Sequence, residues 1–195
     1  MASAPYHHGN LRTALLERAW DVIDADGVEA LSLRGLARDV GVSHGASARH
    51  FRDRQALLDA VAVEGFARLN AALGRATGGE GPFADRLRAA GEAYIAFAVR
   101  HGAILDVMYA AKHHPEATDE LVAASHVGMT GLVELFTAAQ ASGEAAAGDA
   151  ERQALVAFAA VHGVAALATA DLLNGVEWQD AADAVLSFLT AGVRA

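Results

Sequence analysis

Apolar positions recur at three- and four-residue spacing along nearly the whole chain, and nowhere with the two-residue alternation of a half-buried strand. Leu11, Leu15, Ala19, Val22 and Ile23 form the first stripe, opened by Asn10 as an N-cap and closed at Gly27. Ser32 then caps a short helix through Val40, Gly41 supplies a left-handed C-cap, and Ser43 caps another short helix to about Phe51. From about Gln55 a longer helix places Leu57, Leu58, Val61, Ala62, Phe66, Leu69 and Leu73 on one face, until Thr77-Gly78-Gly79-Glu80-Gly81-Pro82 breaks it. Further helices are expected over about 84–101, on to 111, over 115–141, from the 141–149 loop to Leu173, and over 178–193, with Asn174-Gly175 as the last break. The pattern predicts an all-α protein.

Composition narrows this picture. Of 195 residues 53% are apolar, 6% are aromatic and three are proline, which argues for packed helices and against disorder, a sandwich or a barrel. The lack of cysteine excludes disulfide frameworks, thiolate nucleophiles and Cys-based zinc sites, and suits a reducing cytoplasm. Met-Ala-Ser-Ala-Pro-Tyr-His-His does not resemble a secretory signal. The most membrane-like stretch, 154–170, is alanine-rich, has His162 and Gly163 at its centre, and is shorter than the usual span of about 20 residues, so no membrane partner is expected.

Charge is uneven. Up to Asn70 there are eight arginines against nine acids, and beyond it seven Lys or Arg against fifteen acids. Within 32–55, Arg34, Arg38, Arg49, Arg52 and Arg54 face only Asp39 and Asp53, a cationic island in a chain of net charge −9. Such an island suits an anionic partner. It coincides with Leu33-Arg34-Gly35-Leu36-Ala37-Arg38-Asp39-Val40-Gly41-Val42-Ser43, which has helix-turn-helix spacing. Ala37 is small where the second helix crosses, Gly41 reaches the left-handed turn, and Leu36, Val40 and Val42 anchor the pair. The second helix would then turn His44, Gly45, Ser47 and Arg49 toward base edges in a major groove.

The sequence resembles the TetR family of transcriptional regulators over essentially its whole length. The resemblance rests on Tyr6-His7-His8-Gly9-Asn10-Leu11-Arg12, Ser32-Leu33-Arg34-Gly35-Leu36-Ala37-Arg38, Gly41-Val42-Ser43 and Arg49-His50-Phe51-Arg52-Asp53-Arg54-Gln55-Ala56-Leu57-Leu58. Ala93-Tyr94-Ile95-Ala96-Phe97-Ala98 and Val161-His162-Gly163 are similar to a subgroup with a C-terminal Trp-x-x-x-His-Gly signature, Phe158 standing in the tryptophan position. The resemblance implies a three-helix DNA-binding domain over 1–54. A long fourth helix would join it to a helical ligand-binding and dimerisation domain over 55–195. It implies a repressor that grips a palindromic double-stranded DNA operator as a homodimer and is released by a small-molecule effector. Ser32 and Arg34 would meet the backbone, Ser43, His44, Gly45, Ser47, Arg49 and His50 fall on or beside the recognition helix, and Arg54 takes the usual lysine position facing phosphate. Phe51 is expected to anchor the small core. Ser47 and Ala48 depart from the family's apolar-then-aromatic pair, and the lost aromatic should weaken phosphate contact by about 1 kcal/mol.

In the C-terminal half, the helix from Leu155 to Leu173 is apolar around most of its circumference, so it must be covered on both sides. One side can face its own core and the other a two-fold mate, with Trp178, Ala182, Val185, Phe188 and Leu189 completing a four-helix contact through the last two helices. Tyr94, Phe97, Met108, His126, Met129, Phe158 and His162 are candidate walls of an effector pocket. Despite His113-His114, His101, His126 and His162, no HExxH or His-x-x-x-His pair occurs, so no metal site and no cofactor are expected. No nucleotide loop, nucleophile elbow or paired-carboxylate motif supports catalysis. The rival reading is a helical small-molecule or metal carrier, or an enzyme, that lost operator recognition through Ser47 and Ala48.

Overall fold

The computed structural model describes residues 8–192. Its elements are α1 (His8–Asp26), a single 3-10 turn (Val28–Ala30), α2 (Leu33–Asp39), α3 (His44–Ala48), α4 (Arg54–Thr77), α5 (Phe83–Arg100), α6 (Gly102–Lys112), α7 (Asp119–Ser142), α8 (Ala150–Thr169) and α9 (Trp178–Gly192). No strand occurs among the described residues, as the periodicity requires. Tyr6 and His7 of the N-terminal motif, and Val193 at the expected end of the last helix, lie outside the described residues.

Most helix boundaries fall where the caps predict, and the exceptions have local causes. Asn10 lies inside α1, which already begins at His8. The helix expected from Pro115 begins at Asp119, because Thr118 Oγ1 accepts the Leu121 N–H at 3.2 Å and acts as the cap. The helix expected to reach Leu173 ends at Thr169. Asp171 adopts φ 56°, the Leu172 N–H donates to the Leu167 carbonyl at 2.8 Å, and the chain leaves the helix before it reaches Asn174-Gly175.

Two compact units emerge from the packing. The first comprises the chain up to Phe66 together with Ala103–Val122. Leu15, Ile23, Leu36, Leu57, Val61, Ile104 and Met108 are buried in it. Here the Met108 side chain of α6 packs directly on the α4 backbone at Gly65, where an added Cβ would stand 2.5 Å from Met108 Sδ. The second comprises Ala67–Gly102 and Ala123–Ala195, with Phe83, Leu87, Ile95, Phe136, Ala154, Ala157 and Leu186 in its core. Helices α5, α8 and α9 pack mutually there, and Gly91 lets α5 meet α9 closely, since its Cβ would lie 2.3 Å from Leu186 Cδ2. Packing thus groups α6 and the first half of α4 with the N-terminal helices.

Candidate nucleic-acid interface and aromatic cluster

Helix α2 starts because Ser32 Oγ accepts the Gly35 N–H at 3.1 Å, and α3 because Ser43 Oγ accepts the Ala46 N–H at 3.2 Å. Between them Gly41 adopts φ +77°, and the Val42 N–H closes on the Ala37 carbonyl at 2.8 Å. That turn lets α3 cross Ala37, which is buried. Each capping hydroxyl is used only as an acceptor in these bonds, so its own proton can still be donated outward.

Ser32, Arg34, Ser43, His44, Gly45 and Arg49 are all exposed, and so are Ala48, Arg38 and Arg52. His50 is half-buried just beyond α3. Ser47 is a correction: it is fully buried, and its Oγ donates to the His44 carbonyl at 2.9 Å. On a helix Ser47 shares its face with Phe51 four residues on, and Phe51 is the buried anchor of this region, with the Arg12 guanidinium 5.4 Å from its ring centre. On a helical wheel His44 lies only about 60° and Ala48 about 100° from Ser47, so the wheel alone does not separate them, and packing beside Phe51 decides which one is covered.

The cations divide by their partners. Arg18 binds Asp39 at 3.0 Å, Arg38 lies 3.6 Å from the same carboxylate, and Arg52 pairs with Asp53 at 3.1 Å. Arg34 and Arg49 have no acidic partner among the described residues. Arg54 has a structural task that the sequence did not reveal. Its Nη2 donates to the Val28 carbonyl at 2.6 Å and its Nε to the Leu31 carbonyl at 3.4 Å, so it ties the 3-10 turn to the start of α4. A guanidinium has five donors, which leaves others for phosphate.

In the second unit, three of the seven proposed pocket residues come together. Tyr94 on α5 places its hydroxyl 2.8 Å from His162 Nδ1 on α8. Phe158 stacks on His162 with centroids 5.4 Å apart and meets Tyr94 edge-on at 5.8 Å. Phe97 instead lies against His101 at 5.3 Å. On α7, His126 is exposed and Met129 half-buried. Met108 lies apart from that cluster in sequence and unit, fully buried in the first unit with its thioether close against Gly65. Among the described residues no three His, Asp or Glu side chains gather as a metal-ligand set.

Comparison with known proteins gives this geometry its context. The description "Bacterial regulatory proteins, tetR family" matches residues 15–61, and "Tetracyclin repressor-like, C-terminal domain" matches 87–193, more than half of the chain. The chain belongs to the TetR family. No curated protein matches it. A Rhodococcus sp. RHA1 protein of unknown function shares 47% identity over 99% of this chain and 100% of its own, with a TM-score of 0.92. A protein described as a TetR-family transcriptional regulator from Rhodococcus sp. is 24% identical over 96% of this chain and 100% of its own, with a TM-score of 0.75. AibR, solved in complex with isovaleryl coenzyme A and operator DNA, is 18% identical over 92% of this chain and 98% of its own, at a TM-score of 0.69. The last two likenesses concern the fold.

As a TetR-family transcriptional regulator, the protein carries a helix-turn-helix DNA-binding domain and a helical C-terminal domain. Helices α7 and α8 are each long and apolar enough to cross a membrane by length and composition, so the sequence argument from shortness does not hold for 150–169. Both lie within the matched C-terminal domain. Much of α8 is uncovered within the chain. Leu155, Val156 and Leu167 are exposed in line with Ala159, Gly163 and Ala166, and Phe188 is exposed on α9. Ala182 and Leu189, expected on one stripe with Phe188, turn inward instead.

Proposed function

We propose that this TetR-family protein is a cytoplasmic, ligand-responsive repressor. It binds a palindromic operator as a homodimer and is released by a small-molecule effector. The observation that carries the reading is the exposed face of α2 and α3. There Arg34 and Arg49 stand unpaired beside His44, Gly45 and Ala48, with the hydroxyl protons of Ser32 and Ser43 available to phosphate. Residues 1–54 then serve as the DNA-reading part and 55–195 as the part that senses and dimerises. A Cβ at Gly45 would meet nothing within 4 Å, so the fold does not require glycine there, and a bare backbone suits close approach to DNA.

The uncovered apolar stripe of α8 with Phe188 of α9 supports a two-fold mate. The Tyr94–His162 pair set against Phe158 supports an effector with an apolar body and a polar end, and AibR, with a similar fold, takes an acyl thioester and operator DNA together. Release follows from linkage: an effector that binds the non-operator arrangement more tightly lowers operator affinity by that difference. TetR-family regulators are generally not enzymes, and we read this chain in the same way. Burial of Ser47 leaves the rival reading resting on the exposed Ala48 alone.

The test is selection of duplexes from a random library by the purified protein, followed by anisotropy at several salt concentrations. A two-fold symmetric site should emerge. The slope of log affinity against log salt should be no steeper than about −7, for up to four arginine contacts per subunit. Arg34→Ala and Arg49→Ala should each flatten it by roughly 2 per dimer. Enrichment of no symmetric site, or slopes that ignore both substitutions, would overturn the reading.

A further inference from the structure

The first unit holds a cleft of about 230 Å³ that involves none of the seven proposed effector residues. Val28 of the 3-10 turn, Gln55 and Leu58 of α4, and Asp106, Val107, Ala110 and Ala111 of α6 line it with His114. Its floor is apolar, and its polar groups sit at the rim. Asp106 is exposed and has neither hydrogen bond nor ion pair among the described residues. The Gln55 carboxamide donates to Asp59 at 2.8 Å, which leaves its oxygen as a second acceptor. His114 Nδ1 accepts the Glu116 N–H at 3.2 Å, so the neutral ring carries its proton on Nε2 and offers one N–H. Neither neighbouring cation lines the cleft: Arg54 is held at the Val28 carbonyl, and Lys112 lies over the Tyr109 ring at 4.6 Å.

We propose that this cleft is a binding site for a compact aromatic amine, its ring against Val28, Leu58, Val107 and Ala111 and its ammonium at Asp106. The volume lies below the roughly 300 Å³ at which drug-sized pockets begin, which suits about a dozen non-hydrogen atoms. A carboxylate without a partner, in a cleft that also holds the Gln55 carboxamide, selects a cationic donor over an anion. The His114 N–H can meet the face of an aromatic ring. An occupant would bridge α6 to the 3-10 turn and α4, two elements that Arg54 already ties to each other. The site itself does not depend on the operator reading.

Tryptamine is the probe, with tryptophol and indole-3-acetate as its neutral and anionic counterparts, titrated into full-length methyl-labelled protein and followed by NMR. Tryptamine should shift the methyls of Val28, Leu58 and Val107, and indole-3-acetate should bind at least tenfold more weakly. Asp106→Asn, an exposed change, should cost tryptamine about tenfold and leave tryptophol unaffected. Ala110→Trp should block both. Shifts confined to other methyls, equal binding of the acid, or indifference of tryptamine to Asp106→Asn would overturn the proposal. Because binding is read without DNA, failure here and failure to find an operator are separate results.

Discussion

Replacing Phe188 by alanine isolates the contribution of the α8–α9 face to association. The ring is 79% exposed within the chain, so its removal takes little from the protomer's own core. Burying a phenylalanine side chain is worth about 1.5–3 kcal/mol, and an isologous interface uses each side chain twice. Allowing for the methyl that alanine retains, the two truncations should weaken the dimer by about 2–5 kcal/mol. That is a rise of roughly thirty- to several-thousand-fold in its dissociation constant. Sedimentation equilibrium over nanomolar to micromolar protein measures this directly. Circular dichroism at low concentration should find the helical content unchanged. A wild-type protein that stays monomeric at micromolar concentration would refute the reasoning, as would a variant with an unaltered dissociation constant. Leu155 and Val156, 57% and 58% exposed, would then need another explanation.

Four further outcomes are expected. Ser47→Ala removes a buried hydrogen bond to the His44 carbonyl and should cost about 0.5–1.5 kcal/mol in denaturant unfolding, while the selected operator sequence stays the same; an altered base preference would mean that Ser47 faces DNA. Ala48→Tyr should tighten operator binding about fivefold, equivalent to about 1 kcal/mol, by restoring a phosphate contact at an exposed position; unchanged affinity removes that account of the departure. Gly91→Ala drives a Cβ into the buried Leu186 and should destabilise by about 1–3 kcal/mol, whereas Gly163→Ala meets open space and should stabilise the protomer by up to about 1 kcal/mol; equal thermal shifts would contradict the two geometries. Glu144 is held below the usual carboxylate range by the Phe83 N–H and then by Ser142, so its stabilising effect is present above that range and lost as pH falls through it. Glu144→Gln should therefore flatten the fall of Tm between about pH 5 and 3 relative to wild type, and identical profiles would remove Glu144 as a cause.

The capping residues made the helix-turn-helix legible. Ser32, Gly41 and Ser43 each act through their own backbone neighbourhood, so spacing alone locates α2 and α3. Phe51 was legible for the same reason, as an apolar residue one turn past a short polar helix. Ser47 was misread because its type suggested exposure, although its period with Phe51 pointed inward. Arg54 and Met108 depend on contacts more than twenty residues away along the chain, with Val28 and Leu31 for one and Gly65 for the other. Local patterning carries no trace of such partners. Likewise the α9 stripe read from sequence joined Phe188 to Leu189, which the backbone places on different faces. The Asp106 cleft was invisible because the 3-10 turn, α4 and α6 meet only in the folded unit.

Several residues on the α2–α3 face hold the fold and are also placed to meet DNA, and this decides which substitutions can be interpreted. Loss of Ser32 or Ser43 removes an N-cap worth about 1 kcal/mol as well as a phosphate donor, so weaker operator binding would not distinguish the two causes. Loss of Arg54 frees the Val28 and Leu31 carbonyls as well as a charge. Arg38 and Arg52 begin partly neutralised by Asp39 and Asp53, so their removal also leaves a carboxylate facing the phosphates. Arg34 and Arg49 carry neither complication. Both are exposed without an acidic partner among the described residues, so their effect on affinity measures attraction to DNA with the least disturbance of the unit that presents them.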